Sequence, residues 1–155
     1  MNLTLEQEVR RAVDRALAKS ELRRASIDFH LAGETCAYAD PVLLARILDN
    51  LLDNALSYSV GAPRVWVETN EDPRPFVRVR DTGIGFEPEA AAHAFDNGFR
   101  QHPEDDERPG SGLGLYIARQ SAEAMGAALT LEWTRSGLGS VFRLELRSPE
   151  SQTGC

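Results

Sequence analysis

Two asparagines, Asn50 and Asn54, stand four residues apart within Leu43 to Tyr58, a segment with a broad apolar stripe. At about 100° per residue, Asn50, Asn54 and Ser57 fall within roughly 60° of one another on a helix. That strip borders the apolar face rather than the outer acidic one. An amide oxygen suits Mg²⁺, a hard cation that keeps several waters and completes its shell with phosphates. The same pair also fits the polar edge of an ordinary packed helix, so the asparagines need company before they mean anything.

Two glycine boxes supply it. The first, Asp81-Thr82-Gly83-Ile84-Gly85-Phe86, follows directly on an apolar alternation, Phe76 to Arg80. Gly83 and Gly85 can take positive φ and let a ligand come close to the backbone, and the Asp81 carboxylate can accept from an exocyclic amine. A plain turn explains this box equally well. The second, Pro109-Gly110-Ser111-Gly112-Leu113-Gly114-Leu115, runs straight into the helical pattern Tyr116-Ile117-Ala118-Arg119. Glycines at spacing two before a helix expose N–H groups to an anion, with the helix dipole reinforcing them. The box lacks the G-K-[ST] of a Walker A motif and does not follow a first strand as a dinucleotide fingerprint would.

The elements that must hold these residues read as follows. A helical stripe covers residues 4–24 (Leu5, Val9, Ala12, Val13, Ala16, Leu17), and strands are expected at Ser26 to Leu31 and through Cys36 and Tyr38. Asp40-Pro41 is a strong helix start, opening a helix to about Ser57 that Gly61 and Pro63 stop. Arg64 to Thr69 and Phe76 to Arg80 read as paired strands, and a short helix follows Pro88. A further helix spans Leu113 to Met125, and strands at Ala128 to Thr134 and Gly139 to Arg147 close the chain. Residues 96–110, with Gly98, Pro103, Pro109 and an acidic run, read as a mobile loop. The expected fold is α/β (α+β): a two-layer sandwich of a mixed, largely antiparallel sheet with about three helices on one face.

Composition bounds the partners. At 155 residues the chain makes one domain, assigned to 1–147 with a disordered tail at 148–155. Its net charge of -7 disfavours nucleic acid or an anionic membrane as an electrostatic partner. Sixteen of the seventeen basic residues are Arg and one is Lys, Lys19, so phosphate chemistry must use Arg, backbone N–H groups or a metal. Two cysteines, Cys36 and Cys155, make neither a disulfide framework nor a metal cluster. With no long apolar run and no signal peptide visible, a cytoplasmic domain without direct membrane contact is expected.

The order of asparagine-bearing helix, D-T-G-I-G, F-x-x-x-F and G-S-G-L-G-L resembles the N, G1, F and G2 boxes of the ATP-binding catalytic domain of bacterial sensor histidine kinases. The resemblance spans about Asp40 to Arg147 and implies the Bergerat fold, with ATP between the helices and a flexible lid at about 96–110. It implies that Asn54 coordinates Mg²⁺, that Asn50 lines the phosphate site, and that Tyr58 packs on the adenine. It implies that Asp81 accepts from the adenine amino group, with Gly83, Ile84 and Gly85 around the base. Phe95 and Phe99 match the F box that anchors the lid. Gly110, Ser111, Gly112, Leu113, Gly114 and Leu115 would wrap the phosphates, and Arg100 would meet the γ-phosphate.

There are two departures. Where the family usually carries a Lys reaching the phosphates, this chain has Ser57. Hydrolytic relatives of the gyrase, mismatch-repair and heat-shock chaperone types resemble one another in a glutamate base four residues before the Mg²⁺ asparagine, and that position is Asn50 here. Phosphoryl transfer to a protein is therefore expected over hydrolysis. None of His30, His93 and His102 sits in the family's H-[ED]-x-x-[TN] pattern, so the acceptor histidine is expected on a separate dimerisation domain of a longer kinase, with a response regulator downstream. The alternatives are a stand-alone ATPase of this fold and a non-catalytic nucleotide-binding sensor module.

Overall fold

The computed structural model describes residues 1–19, 26–58, 62–101, 113–150 and Cys155. Alternating apolar residues build the sheet. Val65 and Val67 of β4 (Arg64–Asn70) and Val77 and Val79 of β5 (Phe76–Asp81) are buried, while Trp66, Glu68, Arg78 and Arg80 point to the opposite face. Before them come β1 (Asn2–Thr4), α1 (Leu5–Lys19), β2 (Ser26–His30), β3 (Cys36–Tyr38) and α2 (Pro41–Ser57). After them come α3 (Pro88–Ala91), α4 (Gly114–Ala124), β6 (Ala128–Arg135) and β7 (Gly139–Glu145). Five strands form one sheet in the order β2-β4-β5-β7-β6. Only β2 and β4 pair in parallel; the other three pairings are antiparallel.

The helices cover one face of this sheet. Leu5, Val9 and Val13 of α1, the run from Leu44 to Leu56 on α2, and Leu115, Ala118 and Ala122 of α4 share one core with the strand valines, Phe142 and Leu144. The other face carries a charge ladder set by strand register. Glu68, Arg78 and Arg143 stand opposite one another across β4, β5 and β7, and the Arg78 guanidinium also donates to Glu132 of β6. The expected two-layer α/β sandwich with a mixed, largely antiparallel sheet is the observed one.

The helix start at Asp40-Pro41 is as expected: the Asp40 carboxylate accepts from the Val42 and Leu43 N–H groups at 2.8 and 3.2 Å. The described part of α1 runs to Lys19, and residues 20–24 of the expected 4–24 span lie outside the described residues. Two features differ from expectation. The last strand stops at Glu145, because Arg147 forms a lone bridge with Tyr38 instead. The three-residue β1, too short for an alternation to show, pairs with β3.

The cysteines correct an expectation. Two residues make no framework, yet Cys36 and Cys155 form one disulfide, with Cα atoms 5.7 Å apart. The chain end comes back to β1 and β3, where the Asn2 side chain exchanges two 3.1 Å hydrogen bonds with the Glu150 backbone. Of the tail expected to be disordered, residues 151–154 lie outside the described residues. Removing the Asp40 cap by Asp40→Ala should lower stability by about 1 kcal/mol with an unchanged denaturant slope, measured by urea unfolding.

Candidate functional site

A cavity of about 360 Å³ opens between α2, the turn after β5, the segment Phe99 to Gln101 and the start of α4. Helical periodicity puts Asn50, Asn54 and Ser57 of α2 on its wall, with Tyr58 at the helix end. The Asn50 amide nitrogen donates back to the Arg46 carbonyl at 2.9 Å, which fixes its rotamer and leaves its oxygen toward α4. A Cβ on Gly114 would lie only 3.3 Å from that oxygen, so glycine lets the first turn of α4 come against Asn50. Leu113 is the N-cap residue of this helix and makes no side-chain capping bond, and Leu113, Gly114 and Leu115 line the cavity. Its first N–H groups have no partner within the helix and carry the positive end of the dipole.

The turn after β5 is held from both sides. The Ile84 N–H donates to the Tyr58 carbonyl at 2.9 Å, and the Gly137 N–H donates to the Ile84 carbonyl at 2.7 Å. A Cβ on Gly83 would sit 2.6 Å from the Tyr58 carbonyl oxygen, and one on Gly85, where φ is +66°, would collide with the Arg135 carbonyl. Both glycines were expected to make room for a ligand. Gly85 and Ile84 do line the cavity, but the close approach that excludes a side chain at 83 and 85 is to protein backbone.

Asp81 is 5% exposed and lines the cavity. Burial pushes its carboxyl up to about 6, against the lowering effect of the Gly83 and Ser140 N–H groups. The Gly83 N–H is 2.8 Å from Asp81 Oδ1. Asp53, also on the wall, is raised by its own burial and drawn down by Lys19.

Several expected positions land elsewhere. Phe95 does not line the cavity: its ring meets Phe142 edge-on at 5.9 Å and lies under the Arg119 guanidinium. Phe99 and Arg100 do line it. Gly110, Ser111, Gly112 and lid residues 102–110 fall outside the described residues. His93 is exposed and bonded to Asp96, and His30 is exposed, so neither faces the site. The motifs did not single out Asp53, Phe86, Ala94, Gln101, Ile117 and Ser140, all on the wall. Gln101 is the informative one: it accepts from the Glu87 N–H and donates to the Gly85 carbonyl at 3.1 Å, pinning the Phe99 to Gln101 segment onto the turn.

Residues 39–150 match the family described as histidine kinase-, DNA gyrase B-, and HSP90-like ATPase. The chain belongs to that family. Its likeness within the family is to sensor histidine kinases. Histidine protein kinase SaeS of Staphylococcus epidermidis is 35% identical over 114 residues, 71% of this chain and 32% of the relative. Sensor histidine kinase RppB of Synechocystis is 32% identical over 117 residues, 74% of this chain and 26% of the relative. The chain thus spans a third or less of these relatives. Among solved structures, the mycobacterial sensor histidine kinase MprB superposes with a TM-score of 0.83 at 24% identity, over 96% of this chain and all of that one. Full-length ShkA in complex with AMPPNP gives 0.79 at 25% identity, covering 94% of this chain and 30% of ShkA. The fold is that of histidine kinase ATP-binding domains. No helix among the described residues is long and apolar enough to cross a membrane.

The raised Asp81 carboxyl has a checkable consequence. Its folded value of about 6 exceeds the ordinary carboxyl value of 3.8, so the folded chain holds the extra proton between those values, and stability falls as pH rises through that window. The loss should reach about 2 kcal/mol between pH 4 and 6, and about 3 kcal/mol in all from pH 3 to 7, relative to Asp81→Asn, which removes the titration, in urea unfolding at each pH.

Proposed function

We propose that this domain binds Mg-ATP and donates the γ-phosphoryl group to a histidine on a separate dimerisation domain. Asp81, in its ionised form, accepts from the adenine amino group, with Tyr58 and Ile84 flanking the base. The phosphates run along α2 toward Asn50, where the N-terminal turn of α4 supplies N–H donors and Arg100 supplies a cation. The cavity's amide oxygens fit Mg²⁺, and Asn54 is the residue that would hold it. When bound, Mg²⁺ neutralises charge on the phosphates. Residues 96–101, the described start of the expected lid, are anchored by Phe95 in the core and by Gln101 on the turn.

The observation that carries the transfer reading is Asn50. It lines the cavity, stands in sequence where the hydrolytic relatives carry their glutamate, and its amide nitrogen is already committed to the Arg46 carbonyl. An amide cannot take a proton from water, so the site positions ATP without activating a water at that point. The nucleophile is then an imidazole nitrogen from the other domain, which attacks the γ-phosphorus as its bond to the β–γ bridging oxygen breaks and ADP leaves. A downstream response regulator would take the phosphoryl group from that histidine.

One observation favours hydrolysis instead: Asp53 on α2 also lines the cavity. Steady phosphate release by the chain alone, abolished by Asp53→Asn, would establish that reading. The transfer reading predicts that Asn54→Ala and Asp81→Ala each weaken ATP binding by at least about tenfold in calorimetry with Mg²⁺ present. It further predicts labelled histidine when the matching dimerisation domain and γ-labelled ATP are supplied; bound ATP with no labelled histidine would contradict it.

A further inference from the structure

Among the described residues, the cavity wall carries two carboxylates, Asp53 and Asp81, and one cation, Arg100. A triphosphate brings several negative charges into this space, and Ser57 adds none to offset them. The only lysine of the chain, Lys19, lies more than thirty residues from the asparagine strip in sequence. The fold changes that distance.

Helices α1 and α2 pack side by side, and the Arg15 guanidinium meets the Asp49 carboxylate at 3.0 Å. Residues four apart lie on one helix face, so Lys19 stands one turn beyond Arg15 and Asp53 one turn beyond Asp49. Both helices start from the paired strands β1 and β3 and so run in the same direction, and the Arg15–Asp49 pair then sets a register that brings Lys19 toward Asp53. Asp53 and Ser57 are again four apart on α2, both on the cavity wall, and Ser57 lies between Asp53 and Asn50 around the helix. The ammonium of a lysine is a compact charge on a flexible four-carbon stem, suited to swinging from a carboxylate to a nearby phosphate.

We propose that Lys19 is a phosphate-binding residue of this site, reaching from the end of α1 across Asp53 to supply the positive charge that Ser57 does not. This rests on the reading of the cavity as an ATP site. It also makes the Arg15–Asp49 contact a positioning device, because losing the register of α1 on α2 would carry Lys19 away.

Calorimetry on the whole chain with Mg²⁺ tests it, comparing ATP with adenosine, which lacks phosphates. Lys19→Gln should weaken ATP about fivefold and leave adenosine unchanged, and adding Ser57→Lys to that variant should restore ATP affinity to within about twofold. Unchanged ATP affinity in Lys19→Gln, equal losses for ATP and adenosine, or no rescue by Ser57→Lys would each overturn the assignment. An unaltered chain that binds no ATP would instead overturn the functional reading and this inference with it.

Discussion

The contact on which the site depends is between backbones: the turn after β5 touches the last carbonyl of α2. The Ile84 N–H bonds to the Tyr58 carbonyl, and Gly83 passes so near it that no side chain fits. On its other side the same turn lies against the hairpin joining β6 and β7, through Gly85, Arg135 and Gly137. That double contact fixes the strand carrying Asp81 relative to the helix carrying Asn50 and Asn54. In the proposed roles of purine acceptor and phosphate-binding strip, these residues are useful together only if their separation is constant. Here the hydrogen bonds and close approaches of four segments set it.

The electrostatics follow from that geometry. The turn buries Asp81, and burial raises its carboxyl to about 6. The carboxylate we propose as the acceptor for the base is therefore held at a cost in stability near neutral pH, the kind of local conflict that functional sites keep. Across the cavity, positive character comes from the N-terminal turn of α4 and from Arg100, and we propose that Lys19 adds to it from beyond Asp53. A net charge of -7 thus says little about the site, because short-range fields near the cavity outweigh distant screened charges.

Much of this was legible in the residues alone. Asp40-Pro41 announced α2 because the cap and the missing proline N–H act within one turn, and the strand alternations gave the β4–β5 hairpin. The asparagine strip and both glycine boxes pointed to the cavity, since those motifs act through local backbone geometry. What was not legible lies in contacts between segments distant along the chain. The β1–β3 pair, the Cys36–Cys155 bond and the parallel β2–β4 pairing join such segments. Gln101, Ile117 and Ser140 reach the wall only through the assembled arrangement of the sheet and α4. The glycines of the first box were visible, but the partner they approach was not, and that partner is the chain itself.

The backbone contact at Gly83 is the most direct point of attack on this account. Gly83→Ala places a methyl group 2.6 Å from the Tyr58 carbonyl, so the turn must move while the core of α1, α2 and the strand valines is left intact. Calorimetric titration of this variant with Mg-ATP, alongside its circular dichroism, decides the matter. The account predicts a chain with unchanged secondary structure whose ATP affinity falls by about tenfold or more. A folded Gly83→Ala chain that binds ATP as tightly as the unaltered one would contradict it.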